Sequence, residues 1–376
     1  MTDGVVGQAD SARRRRTPRV SIVVPNYNYA RYLDERLQTL LNQTFGDFEL
    51  IITDDASTDD SRMVIERYTH DPRVRAIYFD RNSGSAYPRW NDAARQCRGE
   101  YLLFAGADDK CEPAFLERLV AVLDANPNVG LAYAQVWITD ADGKRLFEKQ
   151  YWNRPEHWAA DYVNDGRDEC RTYMSMHCTI PTASSVLMRR SLFEAVGPFD
   201  VSLPLCADWL LYARIAQRSD IAYVAEPLVD FRTHPQTART AAAKGLRQVD
   251  DSYRVASYIA STSNLDRDQL ERVRERMAEQ FADSLLLGHG AEEPAQLRKL
   301  FADARRFDPG LRGRLFRKML KRAPVGGIGR RVRRAVAVTG KLALRETLGH
   351  DALHFAKSQV KQIRARDAAR SSVARV

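Results

Sequence analysis

Phe104-Ala105-Gly106-Ala107-Asp108-Asp109 is the stretch on which the reading of this chain turns. An apolar run from Tyr101 to Ala105 leads into two adjacent carboxylates, Pro113 follows, and a helical pattern runs from Phe115 to Leu123. This pattern describes a buried strand that presents two negative charges at its carboxyl end. In an open α/β sheet, ligands bind at that end. Two neighbouring carboxylates repel each other unless a cation lies beside them. A hard divalent ion such as Mg²⁺ or Mn²⁺, itself holding a diphosphate, suits such a pair. The plainer reading is a solvated turn, because Asp-Asp pairs are common in loops.

Upstream, Val20 to Val24 is a first strand closed by Pro25, and Pro25-Asn26-Tyr27-Asn28-Tyr29 is a loop. Tyr32 to Leu41 is an amphipathic helix with Leu33, Leu37, Leu40 and Leu41 on one face. Phe48 to Thr53 is a second strand ending in Asp54-Asp55-Ala56-Ser57-Thr58-Asp59-Asp60, where Ser57 or Asp59 suits the cap of a helix running to about Tyr68. Val74 to Phe79 is a third strand, Asn82-Ser83-Gly84 a turn, and Trp90 to Cys97 a helix. Strands alternating with helices predict an α/β, mostly parallel sheet with right-handed crossovers. Neither GxGxxG nor GxxxxGK[ST] follows the first strand, which counts against a dinucleotide enzyme and a P-loop NTPase.

Downstream, Val129 to Thr139 is a strand and Asp140-Ala141-Asp142-Gly143 a turn. Gln150 to Cys178 is irregular and rich in aromatics, the pattern of a functional loop. Its Trp152, His157, Trp158 and Tyr162 suit either stacking on an acceptor sugar or a hydrophobic lid. Ser184 to Met188 is a strand, Ser191 to Val196 a helix, Asp208 to Gln217 a helix, and Ile221–Val224 and Leu228–Phe231 two closing strands. Beyond about residue 245 the chain is helical and charged.

The 376 residues, 44% apolar and 28% charged, suit a soluble globular protein of one large or two modest domains. No apolar run reaches the roughly 18 residues of a membrane span. The polar N-terminus with Arg13-Arg14-Arg15-Arg16 does not read as a signal peptide, so a cytoplasmic location is expected. The five cysteines form no CxxC pair, which argues against a disulfide framework and a zinc site. The net charge of +9 is uneven: Leu311 to Val376 carries 18 Lys/Arg against 3 Asp/Glu, a balance of +15, which leaves −6 elsewhere.

Three acidic positions thus lie at element ends: Asp54-Asp55, Asp108-Asp109 and Asp208. Asp55 can accept a hydrogen bond from a base imide and Tyr27 can stack on the base. Asp109, helped by Asp108, can hold a metal on a diphosphate. Asp208 is then free to act as general base on an acceptor hydroxyl, or serves only as a helix cap.

The residues VSIVVPNYNYARYL, FELIITDDASTDDS, RNSG and GEYLLFAGADD together resemble a family 2 glycosyltransferase of GT-A fold. FEAVGPFD, ADWLLYARIA and FRTHPQT resemble the acceptor half of the same family. The resemblance covers roughly residues 19–237. It implies that Pro25, Tyr27, Asn28, Asp55 and Asn82 hold the nucleotide, with Asp108 on the diphosphate. It also implies that Asp109, Asp108 and His234 serve Mg²⁺ or Mn²⁺, and that Asp208 is the inverting base. A nucleotide-diphospho-sugar donor and a glycan or lipid-linked glycan acceptor follow. Two positions depart from the pattern: Gly106 replaces the usual first acid of the metal motif, and Ala207 the usual partner of the base. They keep open an alternative, a catalytically silent nucleotide-sugar-binding module. The expected organisation is a disordered basic arm over 1–18 and a GT-A domain over 19–240, with a nucleotide half at 19–110 and an acceptor half at 111–240. A helical extension over 241–310 and a basic amphipathic tail over 311–376 complete it. That tail suits an anionic membrane surface at the inner face of the cell membrane; no nucleic acid is expected, since aromatic interleaving is missing.

Overall fold

The structure, a computed structural model, describes residues 17–149, 155–235, 246–287 and 294–322. The first half alternates β1 (Val20–Asn26), α1 (Ala30–Leu41), β2 (Phe48–Asp54), α2 (Ser61–Glu66), β3 (Val74–Tyr78), α3 (Ala86–Ala94) and β4 (Tyr101–Phe104). Then come β5 (Lys110–Cys111), α4 (Phe115–Ala125), β6 (Val129–Thr139), β7 (Arg145–Glu148), β8 (Tyr162–Asn164) and α5 (Gly166–Glu169). The sequence continues with β9 (Val186–Arg189), α6 (Arg190–Val196), α7 (Ala207–Ala216) and β10 (Asp220–Arg232). Among the described residues the strands form one sheet in the order β3-β2-β1-β4-β9-β6-β10-β5, with β7 on β6 and β8 on β10. This is the mixed, helix-flanked GT-A architecture that the resemblance implied. The pairs among β1 to β4 are parallel, as the alternation predicts, whereas β9 runs against both β4 and β6.

The order explains why strand ends converge. β1 is flanked by β2 and β4, so the loops after these three parallel strands leave the sheet at one edge. Every residue of β2 and β4 is buried, as continuous apolar runs in a two-sided sheet require. Leu33, Leu37 and Leu40 of α1 pack with Ile22, Leu103 and Leu119 on one face. On the other face Phe104 meets Trp90, Phe193 and Phe199, with ring centroids 4.9 to 5.6 Å apart.

Two local expectations are corrected and one element is added. The helix expected from Trp90 begins at Ala86, capped by the Ser85 hydroxyl; Pro88 is tolerated because first-turn N–H groups have no helical acceptor. The two closing strands are one strand, β10, bulged around Ala225–Pro227. Lys110-Cys111, too short for any periodicity, pairs antiparallel with Asp230 and Val229 as β5.

The chain divides into two compact units, residues 1–240 and 241–376. The second holds α8 (Arg247–Thr262), α9 (Arg267–Leu286), α10 (Pro294–Phe307) and α11 (Leu311–Arg322). A capping box of Asp266 and Gln269 starts α9. On α11, Leu311 and Leu315 are fully buried, and Arg314 and Lys318 pair with Glu275. Over residues 311–322 the apolar face and part of the charge are therefore used within the unit. The rest of the basic tail, residues 323–376, and the arm over residues 1–16 lie outside the described residues.

Gly99, where β4 is entered, lies against β1: a Cβ there would stand 2.5 Å from the Ser21 nitrogen and 2.7 Å from the Val20 carbonyl carbon. Backbone atoms of a central strand cannot give way. Gly99→Ala is expected to cost about 1–3 kcal/mol in denaturant unfolding. Gly46→Ala, with nothing within 4 Å, is the neutral control.

Candidate active site

The loops after β1 and β2 are stitched to each other. The Asn26 side-chain amide donates to Asp54 Oδ1 at 2.7 Å and to the Ser57 hydroxyl at 3.0 Å. Asn28, in the left-handed region at φ 58°, receives the Thr58 N–H on its Oδ1 at 2.8 Å, and its own N–H donates to Ser57 Oγ. Ala56 is also left-handed, at φ 63°, a strained choice for a residue with a Cβ. Pro25 pairs opposite Thr53 and the ladder runs one residue further than the expected strand, to Asn26 opposite Asp54, while Tyr27 stays 43% exposed, open to a planar ligand. Asp54, read only as half of an acidic pair, is thus a structural acceptor.

Asp55 is buried, and its carboxylate already has partners. Oδ2 accepts from the Ser83 N–H at 2.9 Å and hydroxyl at 2.7 Å, and Oδ1 accepts from Arg89 Nε. Arg89 also reaches Asp92 and the Arg81 carbonyl, and its guanidinium lies 3.7 Å from the Phe79 ring centroid. Its guanidinium is thus committed to partners within the protein. Asn82 closes its own turn, with Oδ1 accepting from the Gly84 N–H at 2.6 Å.

The acidic turn is held from the far side of the sheet. Because β5 pairs with β10, residues at and just past the end of β10 lie against Asp108 and Asp109. Asp109 is buried; its Oδ1 accepts from the Arg232 N–H at 3.0 Å and its Oδ2 from the Thr182 hydroxyl at 3.2 Å. Arg232 donates to the Asp108 carbonyl at 2.7 Å, the Ala141 carbonyl at 2.9 Å and Glu35 at 2.6 Å. His234 Nε2 lies 3.1 Å from Asp108 Oδ2, and its ring packs 4.9 Å from Tyr32 and 5.7 Å from Tyr29. The Gly106 N–H donates to Ser184 Oγ at 2.8 Å. A Cβ at Gly106 would meet Asp108 Oδ1 at 3.1 Å and Asp109 Oδ2 at 3.3 Å, so a side chain at this position would crowd both carboxylates.

Asp208 is not a helix cap. Cys206 holds that place, making no side-chain cap bond, and Asp208 lies in the first turn of α7, its Oδ1 accepting the Trp209 N–H at 2.8 Å. The nucleotide half reaches it through α3. Burial and then the Asp208 charge push the Tyr87 hydroxyl well up, and the Asp208 backbone partly offsets this. The Tyr87 ring stacks on Phe199 at 5.4 Å, while the Asn91 side chain bonds the Phe199 N–H and carbonyl. Within one turn of α3, Tyr87 therefore neighbours Asp208 and Arg89 holds Asp55.

Of the aromatic stretch, Trp152 lies outside the described residues. His157 is stacked on Tyr173 at 4.2 Å and on Tyr162 at 4.1 Å, beside the fully buried Glu169. Trp158 is buried, its Nε1–H donating to Tyr133. These faces are covered by one another, so His157 and Trp158 form a packed aromatic cluster and not an open stacking platform. Tyr29, Arg36, Thr182, Ser184 and Arg232 at or behind the acidic turn were missed in the sequence. Arg36 alone left a clear signal, a charge on the apolar face of α1 between Leu33 and Leu40.

Burial, then the neighbouring Asp108 charge, raises the Asp109 carboxyl from 3.8 to about 6. The folded state then holds this proton more tightly than the unfolded one, so stability falls as pH rises from about 4 to about 6. In melts across this interval Asp109→Asn is expected to lack that downward step and gain on wild type. A Tm difference flat with pH would overturn the assignment.

Glycosyl transferase family 2 matches residues 21–197. An uncharacterized glycosyltransferase of Nostoc sp. is 30% identical over 230 residues, 60% of this chain and 68% of that protein. The poly(ribitol-phosphate) β-N-acetylglucosaminyltransferase TarS of Staphylococcus aureus is 33% identical over 106 residues, 28% of this chain but only 18% of that one. The crystal structure of TarS 1–349 in complex with UDP has a TM-score of 0.57 at 18% identity, covering 88% of this chain and 92% of that one. The Pyrobaculum calidifontis mannosyltransferase PcManGT, in complex with GDP-Man and Mn²⁺, has a TM-score of 0.50 at 16% identity, covering 92% and 88%. These structures share the fold, and the identity across two thirds of the Nostoc protein makes this chain a glycosyltransferase of family 2.

Proposed function

We propose that this chain transfers a sugar from a nucleotide-diphospho-sugar to a hydroxyl of a glycan or lipid-linked glycan, with inversion, in surface polysaccharide or glycolipid assembly. The convergence of the loops after β1, β2 and β4 with the end of β10 carries the reading. TarS with UDP and PcManGT with GDP-Man and Mn²⁺ support the donor class. The name of TarS supports the pathway class.

Tyr27 stacks on the base, Asp55 faces its edge, and Pro25, Asn28 and Asn82 shape the loops around the nucleotide. Among the described residues no group of three His, Cys, Asp or Glu side chains could hold a metal unaided. Two abutting carboxylates, one raised by the other, nevertheless suit a hard cation whose remaining oxygens come from the diphosphate. Asp108 and Asp109, with His234 orienting Asp108, would hold Mg²⁺ or Mn²⁺. When bound, that ion neutralises charge on the leaving nucleoside diphosphate. Asp208 takes the proton from the acceptor hydroxyl as it attacks the anomeric carbon. Among the described residues no helix is long and apolar enough to cross a membrane, and cytoplasmic action at the inner membrane face through the remainder of the expected tail, residues 323–376, belongs to the same proposal.

Thermal shift and donor hydrolysis against UDP-, dTDP- and GDP-sugars, with and without Mn²⁺, test the reading. One donor is expected to give a Mn²⁺-dependent shift with slow release of its nucleoside diphosphate. Asp208→Asn is expected to fold, to keep the shift and to lose about 10²–10⁴-fold in transfer. Undiminished turnover in that variant would remove Asp208 as base. Binding of a donor without release or transfer would leave only a silent module.

A further inference from the structure

The carboxylate proposed as base is held by its own neighbour. Asp208 Oδ1 accepts the Trp209 N–H at 2.8 Å, and the buried Trp209 indole donates through Nε1 to the Met174 carbonyl at 3.0 Å. Met174 ends a π-helical turn, Cys170–Met174, closed by the Ser175 N–H on the Cys170 carbonyl at 2.9 Å. The last carbonyls of a helix find no donor inside it, so the indole meets an oxygen that the turn itself leaves over. The start of the turn touches α7 as well: the Cys170 thiol donates to the Ala213 carbonyl at 3.7 Å. Residues 209 and 213 lie one turn apart on α7, so the π-helical turn is docked along that helix at two points.

From Met174 the chain runs directly to the acidic turn. There the Thr182 hydroxyl donates to Asp109 Oδ2 at 3.2 Å, and Ser184 Oγ accepts the Gly106 N–H at 2.8 Å. Ser185 closes that end by donating its hydroxyl to the Thr182 carbonyl at 2.8 Å. Between the two anchors Ser175, Thr179 and Ile180 are buried. A segment bonded at both ends and packed between them cannot lengthen or shift without breaking a buried hydrogen bond, and a buried polar group left unpaired is costly. It joins two carboxylate-bearing elements that are far apart in sequence, the start of α7 and the turn after β4.

We infer that residues 170–184 are a tie of set length between the proposed base and the acidic turn, and that Trp209 is the positioning residue at its α7 end. Trp209 acts through Asp208: its backbone N–H fixes one oxygen of that carboxylate, and its indole fixes the helix start that carries both. The tie stands on its hydrogen bonds; its use in setting the base against the donor rests on the role proposed above for Asp208.

Trp209→Phe keeps an aromatic ring and removes the indole N–H, leaving the Met174 carbonyl without that donor. The full chain is read in two ways. In hydrogen exchange, the amides of Ser175 to Thr182 and the Gly106 amide at the far end are expected to exchange roughly tenfold faster or more, while β2 keeps its rate. With Mn²⁺ and water as acceptor, release of nucleoside diphosphate from the UDP-, dTDP- and GDP-sugars is expected to lose roughly tenfold or more in kcat, with KM for the donor unchanged. Acceleration confined to α7, or spread evenly over the domain, would overturn the tie. A loosened tie with unchanged kcat would overturn the positioning role. If the wild type releases nothing from any of these donors, the transferase reading fails and the positioning role with it, while exchange still decides the tie. If Trp209→Phe does not fold, Ser184→Ala frees the tie from the acidic turn, and the same acceleration over Ser175 to Thr182 is required; its absence overturns the tie.

Discussion

A two-residue ladder holds the site together. Lys110 and Cys111 pair antiparallel with Asp230 and Val229, and the contacts that Arg232 and His234 make at the acidic turn depend on that register. It sets the Arg232 N–H on Asp109 and the Arg232 side chain on the Asp108 carbonyl, and brings His234 to the Asp108 carboxylate. A slip of one residue would turn each of these groups to the opposite face. Two strands far apart in sequence thereby fix two carboxylates that local propensity alone would leave in a mobile turn.

The same region concentrates charge where there is little water. Asp109, Arg36 and Arg232 are buried together, and Glu35 and Lys110 extend the network toward solvent. Such an arrangement is a poor source of net stability, because desolvation cancels most of the attraction. Its value is geometric. Each charge can occupy only the place where its counter-charge waits, so the turn is held to one shape before any ligand arrives. Phosphoryl-bearing ligands and divalent ions are recognised by charge at close range, and a preset arrangement spares them the work of reorganising it.

α3 plays a corresponding part between the nucleotide and acceptor sides. Its first turn holds Asp55 through Arg89 and neighbours Asp208 through Tyr87, and one turn later Asn91 clamps the Phe199 loop. Pro88, inside that turn, favours the backbone the helix start needs. The residues proposed for base recognition and for proton abstraction are thus referred to one short rigid element rather than to independent loops.

Strong local signals were legible in the chain itself. The continuous apolar runs of β1, β2 and β4, the leucine stripe of α1 and the loop chemistry around Asn82-Ser83-Gly84 define an alternating α/β half by burial and period alone. The carboxylates at strand ends follow from the same pattern. The tertiary structure decided what depends on partners distant in sequence. β5 is too short to carry a period, so only its β10 neighbour makes it a strand. The aromatics around His157 form a packed cluster because their faces are taken up by one another. Arg36, a charge on an apolar stripe, was passed over in the sequence, and only the folded chain shows it fully buried there. Periodicity records which face of an element is buried; which charge waits on the other side of that burial is settled by packing.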